Sequence, residues 1–260
     1  MSLLEIWIYK YIMDVQLIDC MGTDSSIVQA ARVSYGPGTK TPSDDRSLVR
    51  YLLRNRHTTP FEMVEFKFRI KCPIFIARQL MRHRTASINE ISARYSVISD
   101  EYYTPNPFRT QSTLNKQGSS NDTLDESVSL ELFSKYTECC NNAFKLYTEM
   151  IDKGVSRELA RCVLPQSTFT EFYWKINLHN LLHFLKLRMD SHAQQEIREL
   201  ANMIYIHVKE KVPVTIDAYE DYCVGSVTFN RGELSGTKLG KSEQIEFDEK
   251  KKILQNCPYI

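Results

Sequence analysis

The sequence predicts an α+β fold, a helix-rich single catalytic domain with a small, mainly antiparallel sheet, and three observations carry that reading. The run Val64-Glu65-Phe66-Lys67-Phe68-Arg69-Ile70-Lys71-Cys72 alternates without a break between apolar and charged side chains, as a half-buried strand does. Val128, Leu132, Tyr136, Cys140, Ala143, Tyr147 and Ile151 recur at three- and four-residue steps, the period of a long helix. The few strand-like stretches are separated by long helices, which is the α+β arrangement.

The remaining elements follow in order. From Asp44 to Arg56, Leu48, Tyr51, Leu52 and Leu53 share one helical face behind Ser43 as N-cap. After the strand, Pro73 suits the first turn of a helix through Ile74, Phe75, Ile76, Ala77, Leu80 and Met81. Between Arg109 and Glu126 the composition turns to Ser, Thr, Asn, Gln and Gly, too polar to order itself by apolar burial, which predicts a mobile loop. The long helix should stop at Gly154. Helices are then expected from Ser156 to Leu164, Asn177 to Leu187 and His192 to Val212, with a strand over Thr168–Ile176 before the second. Beyond Tyr222 the chain is polar and aperiodic, as in a surface-draped or frayed tail. The expected division is an N-terminal extension at 1–14, a catalytic domain at 15–222 and a C-terminal tail at 223–260, with Met1 to Ile12 dispensable to the fold.

Charge and cysteine content narrow the function. With 33 Lys and Arg against 32 Asp and Glu, nothing suggests a protein that coats nucleic acid or an anionic membrane, so anion binding must be local. The apolar start is cut by Glu5, Lys10 and Asp14 and has neither the basic leader of a signal peptide nor the length of a membrane span. The seven cysteines show no Cys-x-x-Cys pair and no zinc spacing, which predicts free thiols in a reducing, cytoplasmic setting and no metal.

Chemistry concentrates just after the Pro73 helix, in Arg82-His83-Arg84-Thr85-Ala86-Ser87-Ile88-Asn89-Glu90-Ile91-Ser92-Ala93-Arg94. Counting Arg78, four arginines fall within seventeen residues against one carboxylate, Glu90. Planar guanidinium groups bind phosphate oxygens in pairs, so the cluster suits a phosphorylated ligand; a solvated basic face paired with Glu90 is the plainer alternative.

This segment resembles the signature of the flavin-dependent thymidylate synthases, the ThyX family, Arg-His-Arg-x-x-Ser-x-Asn-Glu-x-Ser-x-Arg. It matches all eight specified positions, Arg82, His83, Arg84, Ser87, Asn89, Glu90, Ser92 and Arg94. The similarity runs from about Val15 to Tyr222, through His57-Thr58-Thr59-Pro60-Phe61-Glu62 and Leu187-Arg188-Met189-Asp190-Ser191-His192-Ala193-Gln194. Met63 stands where many members carry histidine, and the tail from Cys223 lies outside the likeness.

The resemblance implies a ThyX-like fold and the reductive methylation of dUMP to dTMP. NADPH-reduced FAD would serve as hydride source and 5,10-methylenetetrahydrofolate as one-carbon donor, leaving as tetrahydrofolate. By position, it implies flavin contacts at Thr59, Arg82, His83, Arg84, Glu90, Asn177, His179 and His183. It likewise implies dUMP contacts at Gln79, Leu80, Met81, Arg82, Glu90, Ile91, Ser92, Ala93, Arg94, Arg161 and Arg188. It also implies a homotetramer whose dUMP lies between chains, with Gln79 to Arg82 and Arg188 from one subunit and Glu90 to Arg94 and Arg161 from another.

Residue chemistry agrees in part. His179 and His183, four apart, share a helical face; a zinc reading lacks the glutamate of His-Glu-x-x-His and a third ligand. Arg188 is the expected catalytic residue, acting electrostatically, because a guanidinium is a poor base but favours the N3-deprotonated pyrimidine. Ser92 has only Glu90 as a nearby base, which favours substrate hydrogen bonding over nucleophilic attack. His57 is open to two readings, positioning of flavin or folate and local capping. Rival functions are an arginine–histidine phosphatase, opposed by Arg84 where that motif needs glycine, and an RNA-binding module using Tyr95, Tyr102, Tyr103 and Phe108, opposed by the neutral charge.

Overall fold

The computed structural model describes residues 13–35, 44–105, 107–113, 118–236 and 239–255. Its elements in chain order are β1 (Asp14–Met21), α1 (Asp24–Arg32), α2 (Asp45–Arg54), α3 (Thr59–Glu62), β2 (Glu65–Pro73), α4 (Ile74–Leu80), β3 (Ser87–Glu90), β4 (Arg109–Gln111) and β5 (Ser119–Thr123). They continue with α5 (Glu126–Asp152), α6 (Arg157–Ala160), β6 (Phe169–Asn177), α7 (Leu178–Arg188), α8 (Gln195–Lys211), α9 (Pro213–Tyr219), α10 (Arg231–Ser235) and α11 (Lys241–Gln255). The main sheet has the order β1-β2-β6-β3, each neighbouring pair antiparallel, so the expected α+β class holds.

The alternation read in β2 separates its two faces. Phe66, Phe68, Ile70 and Cys72 are fully buried, as are their neighbours Phe172 and Trp174 on β6, while Glu65, Lys67, Arg69 and Lys71 face the other way. On that polar face Arg69 donates to both carboxylate oxygens of Glu171 at 2.8 and 2.6 Å, and Lys175 donates to Glu65 at 3.2 and 3.0 Å. These diagonal pairs are partly solvated and worth about 0–1 kcal/mol each, so they select register more than they stabilise.

Both long strands feed helices that turn back over the buried face. Asn177 ends β6 and caps α7, its Oδ1 accepting from the Asn180 backbone N–H at 2.9 Å. Phe184 lies six residues into α7 and Trp174 three residues back from Asn177 along β6, and their rings meet at 5.1 Å. Six helical residues rise about 9 Å and three strand residues span about 10 Å, so α7 retraces the strand it leaves. From the opposite end of the sheet, Pro73 closes β2 and starts α4, which runs back until Leu80. The two helices therefore approach each other with their C-termini.

Around this frame, α1 supplies a cap to a distant helix. The Asp24 carboxylate accepts from the backbone N–H groups of Val214 at 3.0 Å and Thr215 at 2.9 Å, and from the Thr215 hydroxyl at 2.6 Å. Helix α5 ends as its sequence indicates: Gly154 has φ +89°, and the N–H groups of Gly154 and Val155 close back on the carbonyls of Ile151 and Met150. Tyrosines fasten α5 to the chain that follows the signature, Tyr147 Oη accepting from the Ile98 N–H at 3.1 Å and Tyr136 Oη donating to the Tyr103 carbonyl at 2.6 Å.

Four expectations need correction or adjustment. The stretch after Arg109 is a hairpin, β4 paired with β5, rather than a mobile loop in its described residues. It is ordered by an ion pair instead of apolar burial: Arg109 reaches the buried Glu196 of α8 at 2.6 Å, a carboxylate that also accepts from Tyr103 Oη at 3.0 Å. The tail is helical rather than frayed over α10 and α11, closed by the Asn230–Glu233 capping box, Lys250–Glu233 at 2.7 Å and an edge contact of Phe229 with Phe247. β1 begins at Asp14, one residue before the expected start of the catalytic domain, and Met13 is buried. The helix expected from His192 begins at Gln195, because Asp190 holds the His192 N–H in a turn at 2.8 Å. Ser43 and residues 1–12 lie outside the described residues, and the N-cap seen at α2 is Asp44, accepting from the Ser47 N–H at 3.3 Å.

Asp24→Ala is expected to lower global stability by about 1–2 kcal/mol, since it strips the cap from α9 without touching the sheet. Urea denaturation followed by circular dichroism reads this; an unchanged midpoint would show that water replaces the carboxylate at no cost.

Candidate functional site

The converging ends of α4 and α7 bring together groups 105 residues apart in the chain. Arg188, the last residue of α7, donates from Nε to Nε2 of His83 at 3.0 Å and from Nη2 to the Gln79 carbonyl at 3.5 Å. Gln79 in turn donates to the Gln194 side-chain carbonyl at 2.6 Å. The His83 ring stands edge-on to Phe184 at 4.9 Å and to His183 at 6.0 Å. Burial, then the charges of Arg188 and His183, push its pKa down to about 4, so at neutral pH His83 is an uncharged acceptor. Burial and then the Arg82 guanidinium likewise pull Arg188 down from the ordinary guanidinium range.

A second group forms where the signature leaves the sheet. Glu90 ends β3 and accepts from Thr170 Oγ1 at 2.6 Å. Ser92 Oγ accepts from the Arg94 N–H at 3.3 Å in a turn closed by the Ser92 carbonyl. Arg94 lies 3.7 Å from the Glu158 carboxylate and over the Tyr95 ring, and Arg161 donates to the Glu158 carbonyl at 3.3 Å. Glu158 thus draws the expected substrate residues Arg94 and Arg161 together.

The third feature is a cleft of about 1010 Å³ between α1, α2 and α3, lined among others by Ser34, Tyr51, His57, Thr59 and Met63. That volume is at the top of the range of about 300–1,000 Å³ usual for small-molecule sites. His57 is delivered to it by Arg56, whose φ of +58° is the left-handed turn that glycine favours, and its ring meets Tyr51 edge-on at 5.7 Å. α3 packs on α7, and the Leu178 N–H donates to the Val64 carbonyl at 2.8 Å, so the cleft opens beside the start of α7, where Asn177 and His179 stand.

Of the sequence-derived residues, Gln79, His83, His183 and Arg188 converge directly, with Arg82 and Arg84 exposed on the same turn. Thr59 lines the cleft. The Leu80 side chain is fully buried, so only its backbone is available to a ligand, and its carbonyl already accepts the His83 N–H at 3.0 Å. Met81 and Ala93 are half-buried and Ile91 is exposed. Residues not singled out beforehand are Tyr51, Glu158, Thr170 and Gln194; Glu158 meets Arg161 through its backbone carbonyl and Arg94 across 64 residues of chain, so no local side-chain pattern announces it.

Cys72, the cysteine that Glu90 faces, is no activated nucleophile. Cys72 lies in the core, and burial, with the Glu90 charge behind it, pushes its thiol far up, the opposite of what a thiolate nucleophile needs.

An α+β fold that sets a basic turn against a helix-ending arginine at one end of α7, with a wide cleft beside the other end, suits an enzyme of a phosphorylated substrate. A family model described as thymidylate synthase complementing protein, Thy1, matches residues 16–214. The chain is 51% identical over 240 residues to the flavin-dependent thymidylate synthase of Dictyostelium discoideum, covering 89% of this chain and 78% of the relative. To a flavin-dependent thymidylate synthase of Thermus thermophilus it is 53% identical over 220 residues, covering 85% of this chain and 80% of that one. A crystal structure of the UMP/dUMP methylase PolB from Streptomyces cacaoi bound with 5-Br dUMP superposes with a TM-score of 0.73 at 33% identity, covering 82% of this chain and 96% of that chain. The chain belongs to the flavin-dependent thymidylate synthase family, the flavoprotein methyltransferases that form dTMP from dUMP.

Cys72→Ala is expected to leave dTMP formation per folded molecule within about twofold, while costing about 1–2 kcal/mol of stability through lost packing. Assay of dTMP beside a thermal melt separates the two. Abolished turnover in a folded, flavin-bound variant would restore thiolate chemistry.

Proposed function

We propose that this chain methylates dUMP in a site held by Arg188 and the Arg82-His83-Arg84 turn on one side and by Arg94, Arg161 and Ser92 on the other. FAD reduced by NADPH supplies the hydride, and 5,10-methylenetetrahydrofolate supplies the carbon and leaves as tetrahydrofolate. The observation that carries this reading is the meeting of Arg188 with the signature turn, at the other end of α7 from the cleft that contains Thr59.

The residues suit FAD on two counts. Tyr51, His57 and Met63 give the cleft apolar and aromatic walls for a flat ring system. Arg82, Arg84, His179 and His183 supply donors for a pyrophosphate along α7 and the signature turn. His57 is assigned here to flavin or folate positioning, since it faces the cleft rather than capping a helix.

On the substrate, Arg188 sits at the pyrimidine. Half-buried and still cationic, it stabilises negative charge at N3 and so enriches the ring at C5, the carbon that must be methylated. Arg94 and Arg161, drawn together on Glu158, suit the phosphate. Ser92 is oriented by its own turn and has no hydrogen bond to Glu90 among the described residues, which favours a substrate contact over attack. Glu90 contacts both flavin and substrate from the edge strand.

The assembly proposed is a homotetramer with shared sites. Two separate groups of substrate residues, one on His83–Arg188 and one on Glu158, support it, as do the apolar side chains left exposed around the second group, Ile91, Tyr95 and Leu159. No helix among the described residues is long and apolar enough to cross a membrane, and the free thiols fit a reducing cytoplasm.

Anaerobic incubation of yellow, purified protein with dUMP, methylenetetrahydrofolate and NADPH should yield dTMP. Arg188→Ala should keep its flavin absorbance and lose dTMP formation by about 100-fold or more. Flavin lost together with activity would place Arg188 at the cofactor instead.

Sharing of the site is tested by mixing. Arg94→Ala and Arg188→Ala proteins, each nearly inactive, should regain activity when reassembled together, because some sites then draw an intact Arg94 from one chain and an intact Arg188 from another. Mixed oligomers, verified with two tags, that stay as inactive as either parent would show each site to be built within one chain.

A further inference from the structure

We propose that His83 is a positioning residue for Arg188, a neutral imidazole that accepts the Arg188 Nε–H and thereby aims the guanidinium at the pyrimidine. This rests on the reading that Arg188 serves dUMP.

The geometry fixes the tautomer. Arg188 Nε is always a donor, so Nε2 of His83, 3.0 Å away, must be the unprotonated nitrogen and the ring proton must sit on Nδ1. The guanidinium is held at two points, Nε on His83 and Nη2 on the Gln79 carbonyl, which fixes both its position and the plane in which its remaining N–H groups point. A side chain at a helix C-terminus otherwise retains rotamer freedom, and an electrostatic catalyst loses much of its effect when its dipole must reorganise during reaction. The imidazole is itself braced by the Phe184 ring at 4.9 Å, and Phe184 is braced by Trp174 at 5.1 Å, so the aim of Arg188 is referred to the sheet.

The surroundings keep the acceptor uncharged. From α7 the groups facing His83 are Arg188 and His183, with Phe184 between them; the charged neighbours on its own turn are Arg82, which bears on Arg188, and the exposed Arg84. None of these favours an imidazolium. The ring holds its proton count down to about pH 4, and below that it becomes a second cation facing Arg188 and the acceptor is lost.

Three measurements test the proposal. His83→Phe keeps a ring edge for Phe184 but removes the acceptor; in its flavin-loaded fraction it should lower kcat by about 10–100-fold with a smaller change in KM for dUMP. His83→Gln, whose Oε1 can take the place of Nε2, should recover most of that loss. In the double variant His83→Phe/Arg188→Ala, activity should fall no further than in Arg188→Ala alone, because the effect of His83 passes through Arg188. Equal damage by Gln and Phe, or additive losses in the double variant, would overturn the role. Should His83→Phe fail to fold, nitrogen-15 NMR of the wild-type holoenzyme still decides: an Nδ1–H tautomer that does not titrate between pH 5 and 8 supports the proposal, and an Nε2–H tautomer or a midpoint near the ordinary histidine value of about 6.5 refutes it. Full activity in Arg188→Ala would instead defeat the assignment of Arg188 to dUMP, which is a separate failure.

Discussion

Nine antiparallel residue pairs between β2 and β6, from Glu65 opposite Asn177 to Pro73 opposite Phe169, set where the functional side chains stand. Each strand runs without a loop into a helix, at opposite ends of the ladder, and the polypeptide reverses over the same buried face both times. A strand of this length spans about 27 Å. Helices of eleven and seven residues cover about 16 and 10 Å. Their sum nearly closes the strand length, so the C-termini of α4 and α7 meet. A one-residue slip would turn Phe66, Phe68 and Ile70 outward, and with Trp174 displaced the Phe184 ring would lose its seat. Fold and site therefore have a common register, and Arg69–Glu171 and Lys175–Glu65 on the far face help to specify it.

Meeting C-terminus to C-terminus has an electrostatic consequence. Both helix ends present carbonyls and partial negative charge, which favours cations there, and Arg82 and Arg188 supply them. The two guanidinium groups also repel, which contributes to the lowered pKa of Arg188. An anionic pyrimidine relieves that repulsion, whereas a neutral ligand does not. With dUMP placed as proposed, the arrangement favours the ionised ring, and the uncharged His83 adds no third charge.

Local patterns were legible where one physical effect dominated. The period-two run of β2 and the three-to-four period and Gly154 stop of α5 appear as read, because burial or capping alone decides each. The β4–β5 hairpin was hidden because its anchor is a single ion pair, Arg109 with Glu196, across 87 residues of chain, and composition cannot show such a partner. α11 was hidden for a different reason: its Lys- and Glu-rich sequence has good intrinsic helix propensity but no apolar stripe to announce it. In the site, the signature located the cationic turn and a likeness located Arg188, yet neither showed that His83 touches Arg188. The Arg56 turn that presents His57 was equally invisible, since arginine gives no warning of a positive φ.

Helix α7 joins the two halves of the proposed chemistry. Asn177 and His179 stand at its start, beside the cleft assigned to the cofactor, and His183 and Arg188 lie in its later turns beside the signature. Asn177 and Arg188 are separated by about 16 Å of helical rise, and that distance is rigid because Leu181, Leu182, Phe184 and Leu185 bury the intervening face against the sheet. Inserting one residue would rotate Arg188 by about 100° relative to Asn177 and carry it off His83. A reaction that passes a group between two bound molecules needs their separation fixed more than it needs either site to be strong. A single buried helix, seated at Asn177 by its cap and at Phe184 by Trp174, provides that fixed separation.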